Sequence, residues 1–207
     1  NAGEHRVAAA LAHLSDDWTV HVQPRFAHDV PDFVATHPKF GAVVVEVKDW
    51  SPGKYRWTAD GGLEYAEGGR WKRSTQRPRY QAYRYRETIR NQCFGGSKSC
   101  VRAVVVLPNH STEEAAKVLR SHQVTPHEMD IRVVGGDSLD QLDPMFEDHS
   151  LSTTNLSFAK FCSSLVPTEL RDTQNHKLWL SAGARNVANN PSNARRRRVQ
   201  GVAGTGK

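Results

Sequence analysis

The sequence predicts an α/β protein with at least one strand buried on both faces, and three observations lead to this fold class. Helix-like and strand-like stretches alternate along the chain, which is typical of helices packed on a sheet. The run from Ala42 to Val47 is almost continuously apolar, as in a central strand covered on both sides. A chain of 207 residues with 38% hydrophobic content is also long enough to bury one sizeable core.

The N-terminal elements follow from hydrophobic periodicity. Val7, Leu11 and Leu14 recur at spacings of four and three, which places them on one face of a helix over residues 3–14. Alternation of apolar and polar residues then predicts a first strand, and two further strands follow it, the last of them the valine-rich run. These strands cover residues 18–26, 32–36 and 42–50.

The following segment, residues 51–76, combines Trp and Tyr with the turn signals ADGG and EGG, so it predicts a hairpin that leaves the sheet. Ser111 is a candidate helix N-cap, and Glu114 stands at the capping-box position. The remaining elements are a helix over 79–92, a strand over 100–108, a helix over 111–122, a strand over 130–136 and a helix near 156–165. From about Pro167 the chain is small, polar and basic, as expected for a linker or an exposed helix with a tail.

Charge and cysteine content narrow the class of protein. The formal charge of +6 favours a polyanionic partner, either nucleic acid or an anionic membrane surface. Three cysteines without a CxxC pair indicate reduced thiols in a cytoplasmic protein, and we expect no disulfide between Cys93 and Cys100. No apolar run approaches the roughly 20 residues needed to span a bilayer, and no signal-peptide pattern is present. The chain begins without methionine, so we expect a fragment of a longer protein.

Glu46 and Lys48 interrupt the valine-rich strand at a spacing of two, so both side chains project to the same side while Val47 points to the other. Alone, such a pair is usually a solvated ion pair. Asp32 precedes Glu46 by fourteen positions, and antiparallel pairing of two adjacent strands would bring these carboxylates together. Asp32 could instead be only a turn residue after Pro31.

Two close carboxylates repel each other, and a bound divalent cation usually offsets this repulsion. Mg²⁺ prefers oxygen ligands and retains several waters, so Asp32, Glu46 and the backbone carbonyl of Val47 would suffice. Lys48 would then stabilise charge on an attacked phosphate or lower the pKa of the attacking water. Glu4, on the first helix, could add a direct or water-mediated ligand, or could only interact with the helix dipole.

These residues resemble the PD-(D/E)XK nuclease superfamily, with PD at 31–32 and EVK at 46–48. The stretches GEHRVAAAL, PDFVAT, VVVEVKDW and RPRYQAYRY together resemble its nuclease-related domain, NERD, over about residues 3–110. The resemblance implies a restriction-endonuclease-like mixed sheet, an αβββαβ core flanked by helices, here with a hairpin insertion and a C-terminal helical extension. It also implies a catalytic set of Glu4, Asp32, Glu46, Lys48 and Gln81, with Glu4, Asp32, Glu46 and the Val47 carbonyl as metal ligands. Tyr85 completes a Q-x-x-x-Y pattern seen in exonuclease branches of the superfamily.

Between Arg70 and Arg90 there are eight basic residues and one acid, Glu87, with aromatic residues interleaved. Guanidinium groups bind phosphates and aromatic rings stack on bases, so this stretch suits nucleic acid with little sequence specificity. A basic helix face is more often merely solvated. The candidate nucleic-acid-binding residues are Arg77, Arg79, Arg84, Tyr85 and Arg86.

The last residues, GVAGTGK, fit the phosphate-binding loop G-x-x-x-x-G-K. The residues that would contact nucleotide are Gly201, Gly204, Gly206 and Lys207. We expect a nuclease-like domain over 1–150, a helical extension and basic linker over 151–198, and the start of a truncated superfamily 1 helicase motor over 199–207. ATP would then bind only to a longer chain that contains the motor.

The function predicted from these patterns is hydrolysis of DNA phosphodiester bonds, single- or double-stranded, with Mg²⁺ or Mn²⁺. The alternative is a non-catalytic DNA-binding module that guides a fused helicase.

Overall fold

A computed structural model describes residues 2–24, 29–94, 101–120, 126–147, 161–162, 168–171 and 177–180. The helices are α1 (Ala2–Leu11), α2 (Pro78–Phe94), α3 (Thr112–Val118), α4 (Pro126–Met129) and α5 (Leu142–Phe146), the last preceded by a 3₁₀ turn over Gly136–Gln141. The strands are β1 (Thr19–Val22), β2 (Phe33–His37), β3 (Gly41–Val47), β4 (Tyr55–Trp57), β5 (Leu63–Glu67), β6 (Arg70–Ser74), β7 (Val101–Leu107), β8 (Arg132–Gly135), β9 (Thr168–Arg171) and β10 (Lys177–Leu180).

A five-stranded sheet in the order β1-β2-β3-β7-β8 organises the fold. β1, β2 and β3 pair antiparallel, whereas β7 pairs parallel with β3 and β8 pairs parallel with β7. The predicted mixed sheet and the α-β-β-β-α-β order are therefore confirmed, as a restriction-endonuclease-like fold. β3 lies at the centre with all seven residues buried, because its valines point to both faces.

The two faces of this sheet carry separate hydrophobic layers. On one face, Val44 packs with Ala82 and Ile89 of α2. On the other face, Val45 packs with Val7 and Leu11 of α1. The predicted apolar face of the first helix is confirmed at Val7 and Leu11, while Leu14 lies beyond the helix end and is partly buried.

A three-stranded antiparallel sheet of β4, β5 and β6, here called the wing (residues 55–74), replaces the predicted simple hairpin. Its two tight turns contain glycines with positive φ values, Gly61 in the first and Gly68 and Gly69 in the second, so the chain reverses twice. Trp50 stacks on Tyr55 with ring centroids 4.0 Å apart. The wing is therefore anchored just beyond the end of β3.

The C-terminal region is described only in part. Phe161 and Cys162 are helical, within the predicted helix near 156–165, and Cys162 is a free thiol. β9 and β10 form an antiparallel pair, so strands occupy eight positions where a helical extension was expected. The stretch KLWL is mostly apolar, and a short apolar run suits a strand as well as a helix. The predicted phosphate-binding loop at 201–207 and Cys100 lie outside the described residues, as does the side chain of Cys93.

Two further predictions can be compared with the structure. Ser111 caps α3, and Glu114 completes the capping box, as predicted. In the described part of the chain, every helix is too short or too polar to cross a bilayer.

Candidate active site

The register of the central hairpin brings two acids together. Phe33 of β2 lies opposite Val45 of β3 in antiparallel pairing, so one further step places Asp32 opposite Glu46. Alternation then directs both carboxylates to the face of the sheet that α2 covers. Asp32 accepts a hydrogen bond from the backbone N–H of Val47 through Oδ2, at 2.7 Å. The predicted pairing of these acids on adjacent antiparallel strands is thus present.

Glu46 is the most buried acid at this site, with 2% of its surface exposed. Its Oε1 accepts a hydrogen bond from Lys48 Nζ at 2.6 Å. Its Oε2 is also buried, and among the described residues no group donates a hydrogen bond to it. A buried carboxylate oxygen without a partner is costly, which is why such atoms often mark the place of an ion or a ligand.

Burial and neighbouring negative charges raise the pKa of both carboxyl groups. Burial and the nearby negative charge of Asp32 raise the pKa of Glu46 from 4.5 to about 7, although Lys48 acts in the opposite direction. Burial also raises the pKa of Asp32, against the hydrogen bond from Val47. One positive charge, on Lys48, therefore does not fully compensate two buried acids, and added positive charge would stabilise both in their ionised form.

Glu4 reaches this site from the N-terminus of α1. Its negative charge contributes to raising the pKa of both Asp32 and Glu46, so the carboxylate lies within electrostatic range of the pair. However, no three His, Cys, Asp or Glu side chains converge as a ready cation site within the described positions. Direct ligation by Glu4 and ligation through water therefore both stay predictions.

The donor set fits a hard divalent cation. Two carboxylates with an unpartnered buried oxygen are the oxygen ligands that Mg²⁺ or Mn²⁺ prefers, and Mg²⁺ usually keeps several waters beside one or two carboxylates. Asp32 and Glu46 would hold such an ion, with the Val47 carbonyl as the third predicted ligand.

The helix α2 places a polar pair against the same carboxylates. Gln81 Nε2 donates a hydrogen bond to the hydroxyl of Tyr85 at 2.8 Å, as their i, i+4 spacing allows. Tyr85 is 5% exposed, and burial raises its pKa, with a smaller contribution from the charge of Glu46. The predicted Q-x-x-x-Y pair therefore forms, and Tyr85 lies within electrostatic range of Glu46.

The five candidate nucleic-acid-binding residues divide into exposed and buried groups. Arg77 and Arg84 each expose about half of the side chain, 52% in both cases, while Arg79 is partly buried. Tyr85 and Arg86 are each 5% exposed, so they are less suited to direct contact with a phosphate backbone. Arg84 is also paired with Asp29 at 2.8 Å.

A polar network that the sequence reasoning did not identify holds the N-terminus of α1. Asn109 accepts a hydrogen bond from Arg6 at 3.2 Å and donates one to Asp49 at 2.7 Å. A Cβ on Gly3 would lie 2.9 Å from Asp49, so only glycine allows this close approach. The available signal was the position of Asp49 and Asn109 directly after parallel strands, where polar residues often surround a site.

Comparison with known proteins adds one finding. The family model of the nuclease-related domain, NERD, matches residues 1–108, which is slightly more than half of the chain. No curated protein and no solved structure matches the chain. The matched range contains the two acids, the lysine and the Gln81–Tyr85 pair.

Proposed function

Because the chain belongs to the nuclease-related domain family, we propose that it hydrolyses phosphodiester bonds of DNA with a divalent cation. The observation that carries the proposal is the buried Glu46 oxygen without a described partner, beside Asp32 and Lys48. Burial and the neighbouring Asp32 both destabilise the ionised form of Glu46. An acid with a purely structural role would therefore be costly at this position.

Each side chain of the site has a distinct role in this proposal. Asp32 and Glu46 bind the cation, and the hydrogen bond from Val47 holds Asp32 in its rotamer. When bound, the cation supplies Lewis-acid polarisation of the phosphate and lowers the pKa of a water. Lys48 turns from Glu46 toward the phosphate and stabilises the negative charge that develops on its oxygens. Glu4 supports the ion through water.

The DNA strand would approach along α2 and the wing. Arg77 and Arg84 provide exposed guanidinium groups for phosphates. Tyr80 and Trp71 are exposed aromatic rings, at 44% and 37%, on which unpaired bases could stack. None of these contacts reads a base edge, so we expect little sequence preference.

The proposal is tested by incubating the purified chain with linear single- and double-stranded DNA in Mg²⁺, in Mn²⁺ or in EDTA. We expect cleavage with either metal and none in EDTA, together with loss of cleavage in Asp32→Ala. Cleavage that persists in Asp32→Ala would indicate a contaminant or another site. Binding without cleavage in every metal would favour the non-catalytic module that guides a helicase.

The hydroxyl of Tyr85 provides a finer test of the site. Tyr85→Phe removes the acceptor of the Gln81 amide but keeps the ring that packs in the core. The Gln81 amide then loses the hydrogen bond that fixes its orientation, so we expect kcat to fall roughly 10-fold with little change in KM. The measurement is steady-state cleavage kinetics, with Tyr65→Phe on the wing as the matched control. An unchanged kcat would remove the pair from the proposed mechanism.

Two wider proposals rest on sequence patterns alone. The match to a phosphate-binding loop at residues 201–207 supports a helicase motor fused to this domain. The cysteine pattern supports a cytoplasmic location.

A further inference from the structure

The first helix approaches the acidic site from the opposite face of the sheet. Val7 of α1 packs with Val45, in the hydrophobic layer on the face away from α2. Glu46, the next residue of β3, points to the α2 face because side chains alternate along a strand. Glu4 nevertheless contributes to raising the pKa of both Glu46 and Asp32. Its carboxylate therefore reaches the pair past the end of β3, and the position of the first turn of α1 decides how close it comes.

Asn109 joins this first turn to the chain segment that leaves β3. Its side-chain oxygen accepts a hydrogen bond from Arg6 at 3.2 Å. Its side-chain nitrogen donates to Asp49 Oδ1 at 2.7 Å, and it makes a longer hydrogen bond of 3.4 Å to the carbonyl of Trp50. One amide thus contacts α1 and the two residues that follow Lys48.

The chain is held on both sides of Glu4. Gly3 is buried, and a Cβ added to it would lie 2.9 Å from the carboxyl group of Asp49 and 2.9 Å from the ring of Pro108. Two residues after Glu4, Arg6 makes the hydrogen bond to the amide of Asn109. The backbone that carries Glu4 is therefore placed by close packing before it and by a directed polar contact after it.

This polar contact has a function that apolar packing does not provide. Hydrophobic contacts such as that of Val7 are non-directional, so they allow a helix to tilt or slide at small cost. Hydrogen bonds restrict both distance and direction. The negative charges of Asp32 and Glu46 also repel Glu4. A directed contact at this end of α1 opposes the displacement that the repulsion favours.

We propose that Asn109 is a positioning residue for the cation site, which holds the first turn of α1 where Glu4 strengthens binding of a divalent cation. This role rests on the proposed function, because it requires a cation at Asp32 and Glu46, but it does not require cleavage. Groups that orient metal ligands without touching the metal typically change metal affinity about 10- to 100-fold when they are removed.

The test is a double-mutant cycle of Mn²⁺ binding, measured by isothermal titration calorimetry on the 207-residue chain. We expect Asn109→Ala and Glu4→Gln each to weaken Mn²⁺ binding roughly tenfold. Because both changes remove the same contribution, the double variant should also lose only about tenfold, whereas independent roles would multiply to about a hundredfold. Asn91→Ala, the same change at an exposed position of α2, is the control and should leave Mn²⁺ binding unchanged.

Arg6→Gln separates positioning from charge. Loss of a positive charge near a cation site would by itself strengthen cation binding, whereas loss of the contact to Asn109 should weaken it. We expect Mn²⁺ binding to weaken. Arg6 is exposed, so this variant carries the test if Asn109→Ala does not fold.

The possible outcomes distinguish this role from the proposed activity. Urea unfolding in EDTA measures stability, and a loss of stability in Asn109→Ala with unchanged Mn²⁺ affinity would overturn the positioning role. A hundredfold loss in the double variant would overturn it as well. A wild type that does not bind Mn²⁺ would overturn both the cation site and the role of Asn109. The expected coupling in a chain that does not cleave DNA would support the role of Asn109 and overturn only the nuclease activity.

Discussion

Lys48→Ala is expected to reduce cleavage by about 10²–10³-fold while leaving metal and DNA binding nearly intact. The lysine is the cation closest to Glu46, with Nζ 2.6 Å from its Oε1. With a cation held by Asp32 and Glu46, this ammonium group would be available to the phosphate, where its charge would matter most in the transition state. The change should therefore appear in kcat rather than in KM.

The measurement combines cleavage kinetics with titration of Mn²⁺ binding by calorimetry. Lys117→Ala is a matched control, because Lys117 lies on the surface of α3 and pairs only with Glu113 among the interactions described for it. Asp32→Ala, by contrast, should lose Mn²⁺ binding as well as cleavage. Full activity of Lys48→Ala would exclude the lysine from the chemistry.

Glu46→Gln is expected to make the metal-free protein more stable at pH 8, even though it abolishes metal binding. Burial and Asp32 raise the pKa of Glu46 from 4.5 to about 7, so the folded state binds a proton that the unfolded state has released. At pH 8 the folded protein must carry the buried charge, at a cost of about 3 kcal/mol. A glutamine has no such charge and can still accept the hydrogen bond from Lys48.

The stability difference between the wild type and Glu46→Gln should depend on pH. In EDTA, the stability of the wild type should fall as pH rises from about 4.5 through about 7, because the folded pKa lies above the unfolded value. The difference from Glu46→Gln should vanish below pH 4.5. Urea unfolding at several pH values measures both proteins, with the exposed Glu113→Gln as control. A Glu46→Gln protein that is less stable than the wild type at pH 8 would contradict the proposed electrostatics.

Much of the fold and part of the site could be predicted from the sequence. The valine run identified β3 as a central strand, because strands covered on both faces lose the alternation of polar and apolar residues. The spacing of Glu46 and Lys48, with Asp32 on the preceding strand, identified the acidic site because strand geometry fixes which side chains share a face. The spacing of Gln81 and Tyr85 likewise predicted that they share one face of the helix, where they form a hydrogen bond.

Other features depend on tertiary contacts that no local pattern contains. The basic stretch on α2 suggested one surface, yet Arg84 is exposed and Arg86 is buried, because the second faces the start of β7 and β8. The Asn109 network joins three segments that are distant in sequence. The wing gained a third strand because two glycine turns, rather than one, reverse the chain.

The way in which the strands meet has a consequence for how the molecule folds. A turn of three residues joins β2 to β3, so the two acids approach each other within a local hairpin. The backbone N–H of Lys48 instead donates to the carbonyl of Val106, far along the chain, and closing that long loop costs more entropy. The carboxylates of Asp32 and Glu46 would therefore repel each other in the early hairpin, before β7 pairs with β3 and fixes the position of Lys48. We expect protons or dissolved divalent ions to favour formation of this hairpin, because either would reduce the repulsion between the two acids.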